Sequence, residues 1–290
     1  MTRARSPLPF LAVGAGIATF SMMDAVMKSV SIVVGVYTAV LLRNVVGSGL
    51  MALPWLLAGG RWPRGPALRV HVLRSAVVAC MAPLFFWGLV RVPMAEAMAI
   101  SFIAPLIALY LAAVLLEERI RASAVVASLF GIAGVAVIAA ARLGDGEAGA
   151  ASAWGIAAIL ASAVFYAWNL ILQRQQALLA RPLEVALFQN LFVALFFLPF
   201  APWLAVWPDS GAWRDIAGGA GLAAVSLMML SWGYARAEAQ ALVPIEYTGF
   251  VWAALFGWLW FGEAVTLATV AGTALIVTGC WIAVRRPPSP

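Results

Sequence analysis

Nearly the whole sequence is taken up by apolar runs long enough to cross a lipid bilayer. A helix needs about 20 predominantly apolar residues to span the hydrocarbon core. Ten runs meet that length, near residues 8–29, 33–57, 71–90, 94–116, 121–141, 154–173, 184–206, 215–235, 241–261 and 265–284. The longest polar pieces between them are 58–70, 142–153 and 207–214, so no separate soluble domain fits. In lipid, backbone polar groups must find partners within the segment, which predicts helices, and the short alternating segments of barrel strands are absent. Composition agrees. The chain of 290 residues is 64% apolar and 10% charged, where soluble domains have about 45–50% and 25%. The expected class is an all-α integral membrane protein in contact with the lipid bilayer.

A net charge of +6 would suit a nucleic-acid partner, but the basic residues sit at the edges of the apolar runs rather than along one face. No nucleic acid is expected. With the N-terminus in the cytoplasm and alternating spans, thirteen lysines and arginines fall on the cytoplasmic side and four opposite, with Arg43 inside a span. This positive-inside bias places both termini in the cytoplasm and the protein in a bacterial-type inner membrane. Arg3 and Arg5 imitate the start of a secretory signal, but Ser21-Met-Met-Asp24 makes a poor cleavage site. Cys80 and Cys280 lack the spacing of a disulfide framework, and a single histidine, His71, cannot make a two-histidine metal site. No metal and no cofactor are expected.

The sequence also repeats itself. Shifted by 145 residues, Pro54 falls on Pro199, Trp62-Pro63 on Trp207-Pro208, Trp87-Gly88 on Trp232-Gly233, Arg91 on Arg236, Glu118 on Glu263 and Gly134 on Gly279. Asp24 corresponds to Asn169, Lys28 to Gln173 and Asn44 to Gln189. Each half, 8–141 and 154–284, carries five spans, and an odd number forces the second half into the membrane upside down. Ten transmembrane helices as two inverted five-helix repeats is a recurring plan of secondary transporters, whose substrate sites lie near the midplane where the halves meet.

The residues carrying this repeat also resemble a known family. Ala95-Glu-Ala-Met-Ala-Ile-Ser-Phe-Ile-Ala-Pro105 followed by Leu115-Leu-Glu-Glu118-Arg, and Pro244-Ile-Glu-Tyr-Thr-Gly-Phe250 followed by Trp260-Phe-Gly-Glu263, are similar to the drug/metabolite transporter superfamily, in its ten-helix members built from two EamA-type domains. Lys28 and Arg43 fit the same pattern, while Phe250 stands where the first half has Pro105. The resemblance covers about residues 8–140 and 154–284. It implies a metabolite transporter and leaves the solute open, since members move amino acids, purines, sugars, quaternary amines, riboflavin or S-adenosylmethionine.

Ionised groups inside a span cost about 2.5–3.5 kcal/mol each on insertion scales, so each marks a candidate function. Asp24 and Lys28 share a face of the first helix at a spacing of four, and Arg43 lies mid-span in the second. They form either a buried pair that holds two helices or part of a substrate or ion site. Glu246, beside Tyr247 and after Pro244, is either a hydrogen-bonded neutral group or a proton acceptor or counter-charge. Glu96 is expected near an interface and solvated. Glu117, Glu118 and Glu263 read as interfacial anchors or packing residues. Trp87 and Trp232 correspond across the repeat and would stand on opposite walls of one cavity. Ala127 with Gly131, and Gly272 with Gly279, assign the fifth and tenth helices to packing, including a candidate homodimer contact.

An intramembrane enzyme would need a nucleophile–base pair, an aspartyl pair or metal ligands, and no Gly-x-Ser-x-Gly elbow is present. A channel would show selectivity elements or rings of charge. The reading is therefore a non-enzymatic, secondary-active exporter or exchanger of a small organic metabolite, with an amino acid or amino-acid derivative as the best match, working by alternating access. An uptake carrier for S-adenosylmethionine or another organic cation is the alternative. The expected substrate wall is Asp24, Arg43, Trp87, Ser101, Tyr166, Asn169, Trp232, Glu246 and Tyr247.

Overall fold

The computed structural model describes residues 7–115, 122–143, 147–237, 242 and 245–284. In chain order its helices are α1 (Leu8–Val34), α2 (Val36–Leu57), α3 (Pro66–Leu89), α4 (Met94–Ser101), α5 (Ala104–Leu115), α6 (Ala122–Leu143), α7 (Glu147–Leu179), α8 (Pro182–Phe197), α9 (Ala201–Leu204), α10 (Ser210–Tyr234), α11 (Thr248–Phe261) and α12 (Leu267–Val284). A single 3₁₀ turn, Leu198–Phe200, joins α8 to α9. The described residues contain no strand. Six helical stretches are long and apolar enough to cross a membrane: α1, α2, α3, α7, α10 and the stretch Pro182–Leu204. Shorter apolar helices cover Met94–Ala108, Val125–Ala141, Thr248–Phe261 and Leu267–Ile282. Glu117, Glu118, Arg119, Arg121 and Pro244 lie outside the described residues.

Several expected spans have different limits. The run 94–116 is interrupted at Phe102–Ile103 between α4 and α5. Proline at position 105 has no N–H to donate and its ring clashes with the carbonyl four residues earlier, which ends α4 at Ser101. Helix α7 begins at Glu147, inside the piece 142–153 expected as a connection, because Ala148-Gly-Ala-Ala-Ser-Ala153 is rich in the strongest helix former. Helices α3 and α8 both open on a proline, whose missing N–H costs nothing in the first turn. Between α1 and α2 the chain reverses on Gly35 alone, at φ 80° and ψ 154°, a conformation essentially confined to glycine.

The chain divides into two compact units, one made of Met1–Ala79 and Leu172–Trp252, the other of Cys80–Ile171 and Ala253–Pro290. The divisions fall inside α3, α7 and α11, so each unit draws helices from both sequence halves. In the first unit α1 packs along α10. A Cβ on Gly16 would lie 3.2 Å from Leu230 and Met229, and the Ser226 hydroxyl donates to the Gly16 carbonyl at 2.8 Å. Helix α2 packs along α8, where Asn190 fills the space above Gly47 and the Tyr37 hydroxyl donates to the Phe197 carbonyl at 2.5 Å. Trp55, Trp62, His71 and Phe192 surround the fully buried ring of Phe188.

In the second unit α6 packs on α12 through facing glycines. A Cβ on Gly134 would meet the Gly272 carbonyl at 2.5 Å, and one on Gly279 would meet the Ala127 carbonyl at 2.5 Å. The small residues of these two helices thus let α6 and α12 approach within the chain. Gly88 of α3 meets Gly155 and Ile159 of α7 in the same way.

Large apolar side chains also point outward. Leu11, Leu53, Leu129, Ile132, Val251 and Trp258 are each at least 60% exposed. A water-soluble monomer rarely displays that much apolar surface, and with the six long apolar helices it marks a multi-pass membrane protein.

Candidate functional site

Five of the nine expected wall residues belong to the first unit: Asp24, Arg43, Trp232, Glu246 and Tyr247. Asp24, on α1, and Arg43, on α2, are both buried, and their opposite charges attract. The contact is electrostatic rather than a hydrogen bond. Both oxygens of the Asp24 carboxylate and Nε of Arg43 lack a hydrogen-bond partner, while Arg43 Nη1 donates to the Met23 sulfur at 3.4 Å. Asn44, next to Arg43, spends its amide on the Val40 carbonyl at 2.7 Å. Lys28, one turn beyond Asp24, is also buried.

Buried polar atoms in folded proteins are rarely left without partners, and each such atom costs about 1–3 kcal/mol. Besides Asp24 and Arg43, those of Ser21, Ser31, Ser75, Gln189 and Ser231 lack one, and among the described residues all such atoms belong to the first unit. This asymmetry sets the first unit apart as the polar one.

A second constellation in this unit was not anticipated from the sequence. His71 is fully buried; its Nε2 lies 3.2 Å from Glu184 Oε1 and its Nδ1 lies 2.7 Å from Gln176 Nε2. Arg74 donates to the amide oxygen of Gln176, and also to that of Gln173 at 3.1 Å. An ionised Glu184 can only accept, so His71 carries its proton on Nε2 and accepts from Gln176 on Nδ1. That turns the Gln176 oxygen toward Arg74. The bonds run one way, from guanidinium through amide and imidazole to carboxylate. Beside them is a narrow cleft lined by Arg74, Gln173, Leu227, Leu230 and Ser231. The only signal in the sequence was polarity at the ends of three apolar runs.

Glu246 is half-buried and accepts a hydrogen bond from the Tyr234 hydroxyl. Arg174 donates to the carbonyls of Tyr234 and Ala237, closing the end of α10. Tyr247 sits at the turn that precedes α11. Trp232 carries the Arg236 guanidinium over its ring at 4.2 Å from the centroid.

The other four expected residues, Trp87, Ser101, Tyr166 and Asn169, belong to the second unit. Trp87 is covered by the Arg91 guanidinium at 3.5 Å. The repeat-related tryptophans therefore have the same arrangement: in each pair the arginine stacks on a ring four residues earlier and donates to that residue's carbonyl. Ser101 spends its hydroxyl on the Ala97 carbonyl at 2.8 Å. Tyr166 packs on a cluster of Ala104, Ala163 and Ala167, and Asn169 is buried.

Glu96 differs from its expected place at a solvated interface. It is buried, and its Oε1 accepts from the Thr269 hydroxyl of α12 at 3.0 Å. Glu263 is a structural anchor. Its Oε2 accepts from the Met94 N–H at 2.7 Å and so satisfies a free donor of the first turn of α4.

The family model of the EamA-like transporters matches residues 8–140 and 153–285. Among curated proteins, the pseudopaline exporter CntI of Pseudomonas aeruginosa is 26% identical, with 92% of each chain aligned. A probable terminal-alkyne amino-acid exporter of Streptantibioticus cattleyicolor is 30% identical over 87% of this chain and 85% of its own. A riboflavin transporter of Brucella anthropi is 23% identical over 79% and 81%. A crystal structure of a protein 24% identical superposes with a TM-score of 0.66, covering 95% of this chain and 96% of the other.

Proposed function

Because the chain belongs to the EamA-like transporter family, whose work is transport rather than catalysis, we propose that it is a secondary-active exporter or exchanger of a small organic metabolite. An amino acid or amino-acid derivative is the favoured solute. The proposal includes ten membrane crossings arranged as inverted halves, 8–141 and 154–284, alternating access between them, and both termini in the cytoplasm of a bacterial inner membrane. Support comes from relatives named as exporters of pseudopaline and of an amino acid, the repeat at an offset of 145 residues, and the polar interior of the first unit.

One observation carries the reading. Asp24 is a carboxylate inside an apolar helix, and neither of its oxygens accepts a hydrogen bond. Placing such a group in a membrane span is costly, and the attraction of Arg43 offsets part of that cost. A solute that presents an ammonium to Asp24 and a carboxylate to a cation would use both signs of charge. The proposed wall is Asp24, Arg43, Trp87, Ser101, Tyr166, Asn169, Trp232, Glu246 and Tyr247.

The test is solute uptake and counterflow in liposomes containing the purified protein. Saturable uptake stimulated by solute on the opposite side is expected. An ohmic, unsaturable current would replace the carrier by a pore. Asp24→Asn and Glu246→Gln are each expected to lower transport about tenfold or more, and unchanged affinity and transport in both would remove these residues from the wall.

A further inference from the structure

We infer that His71 is a proton-binding site whose loading loosens α3 from α7, an inference that rests on the reading of the chain as a transporter and names the ion that biases its two states. The ring is fully buried at the end of the first unit where α3 starts, α7 ends and α8 starts. Both of its nitrogens are engaged, Nε2 with Glu184 Oε1 at 3.2 Å and Nδ1 with Gln176 Nε2 at 2.7 Å, and Gln176 in turn accepts from Arg74. The Glu184 side chain is 20% exposed, which connects the ring to water. Among the described residues, the charged groups acting on His71 are Glu184 of α8 and Arg74 of its own helix. Helix α7 faces it with the neutral amide of Gln176, and α8 also with the ring of Phe188.

Histidine is the side chain whose ordinary ionisation falls between about pH 5 and 8. Neutral His71 accepts from Gln176 on Nδ1. A proton taken from water occupies that nitrogen, and the imidazolium then has two donors and no acceptor. Its Nε2–H stays on Glu184, while the new Nδ1–H meets the Gln176 amino group, donor against donor. Gln176 can satisfy the imidazolium only by turning its oxygen to the ring. That turns its amino group toward Arg74 and exchanges one clash for another. Either way a buried bond between α3 and α7 is lost, and two cations of α3 share one neutral amide of α7. The conflict follows from the direction of the bonds and holds whatever further contacts Arg74 makes.

The tie is not part of the repeated scaffold. At an offset of 145, His71 falls on Ile216, Arg74 on Gly219, Gln176 on Ser31 and Glu184 on Ala39, so the equivalent positions carry no titratable group. Two inverted halves without it would leave their two states close in energy. A tie at one end favours the state closed there, and a ligand that binds two states unequally shifts the balance between them. Here that ligand is a proton.

The experiment uses the full chain purified in detergent without a histidine tag and with carbon-13 in the imidazole, so that one magnetic-resonance signal reports the single histidine. The ring is expected to titrate between about pH 5 and 8. In a Cys80→Ser, Cys280→Ala background, spin labels on Val72→Cys of α3 and Leu178→Cys of α7, both exposed positions, measure the separation of the two helices. The population with the longer separation should rise with the same midpoint as the ring, by up to about tenfold per pH unit. His71→Gln should hold the labels at one separation at every pH. Gln176→Met has no amino group to oppose the second N–H, so its ring should still titrate while the labels stay in place. A ring that does not titrate in this range, a wild-type separation independent of pH, or movement that persists in either variant overturns the inference. No solute enters these measurements, so counterflow in liposomes judges the transport reading separately.

Discussion

Asp24 and Tyr234 contrast two uses of a polar side chain inside apolar helices. Tyr234 donates to Glu246 and is held by Arg174 through its own carbonyl. Tyr234→Phe should therefore destabilise the protein by about 1–3 kcal/mol, read as a lower midpoint of thermal unfolding in detergent. Asp24 makes no hydrogen bond but faces the buried charge of Arg43, so Asp24→Asn leaves that cation uncompensated and is expected to lower the unfolding midpoint as well as transport. Asp24 and Arg43 were legible in the sequence because a charge within an apolar run is conspicuous on its own. The His71 network was not. Its members lie at the ends of three runs, up to 113 positions apart, and each alone reads as an ordinary interfacial residue. The burial of Glu96 was hidden for the same reason, since it depends on a threonine 173 positions away.

Trp260-Phe-Gly-Glu263 shows how a short motif ends one element and starts another. Gly262 adopts φ +64°, its N–H donates to the Trp258 carbonyl at 3.0 Å, and the Glu263 N–H donates to the Gly257 carbonyl at 3.1 Å. The bond from Gly262 to Trp258 is that of a left-handed glycine ending. It aims the Glu263 carboxylate at the N–H of Met94, where negative charge also suits the helix dipole. Gly262→Ala should cost about 1 kcal/mol, and Glu263→Ala about 0.5–2 kcal/mol with Glu263→Gln costing less, measured by the same unfolding assay. Gly134→Val would drive a side chain into the Gly272 carbonyl and should separate α6 from α12, with a loss of about 1–3 kcal/mol. Helices were legible because lipid demands them wherever the chain is continuously apolar. The break at Phe102–Ile103 is not legible even with Pro105 beside it, because an apolar run conceals a change of hydrogen bonding within it.

The whole chain carries its internal symmetry most plainly in Trp87 with Arg91 and Trp232 with Arg236, two pairs of one geometry in two different compact units. The repeat in sequence made these correspondences visible. It did not show that the compact units would mix helices from both halves, because helix contacts made across the chain leave no trace in periodicity. The proposed inverted arrangement makes a firm demand. Cysteines placed at residues 7 and 150 of a cysteine-free variant must react with impermeant thiol reagents from opposite sides of the membrane, and labelling from one side would refute five crossings between them. A last consequence follows from the uneven sharing of unsatisfied hydroxyls, amides and carboxylates. Heavy water should penetrate this protein lopsidedly, with deuterium reaching peptides of α1, α2 and α8 long before those of α6 and α12, whatever the solute proves to be.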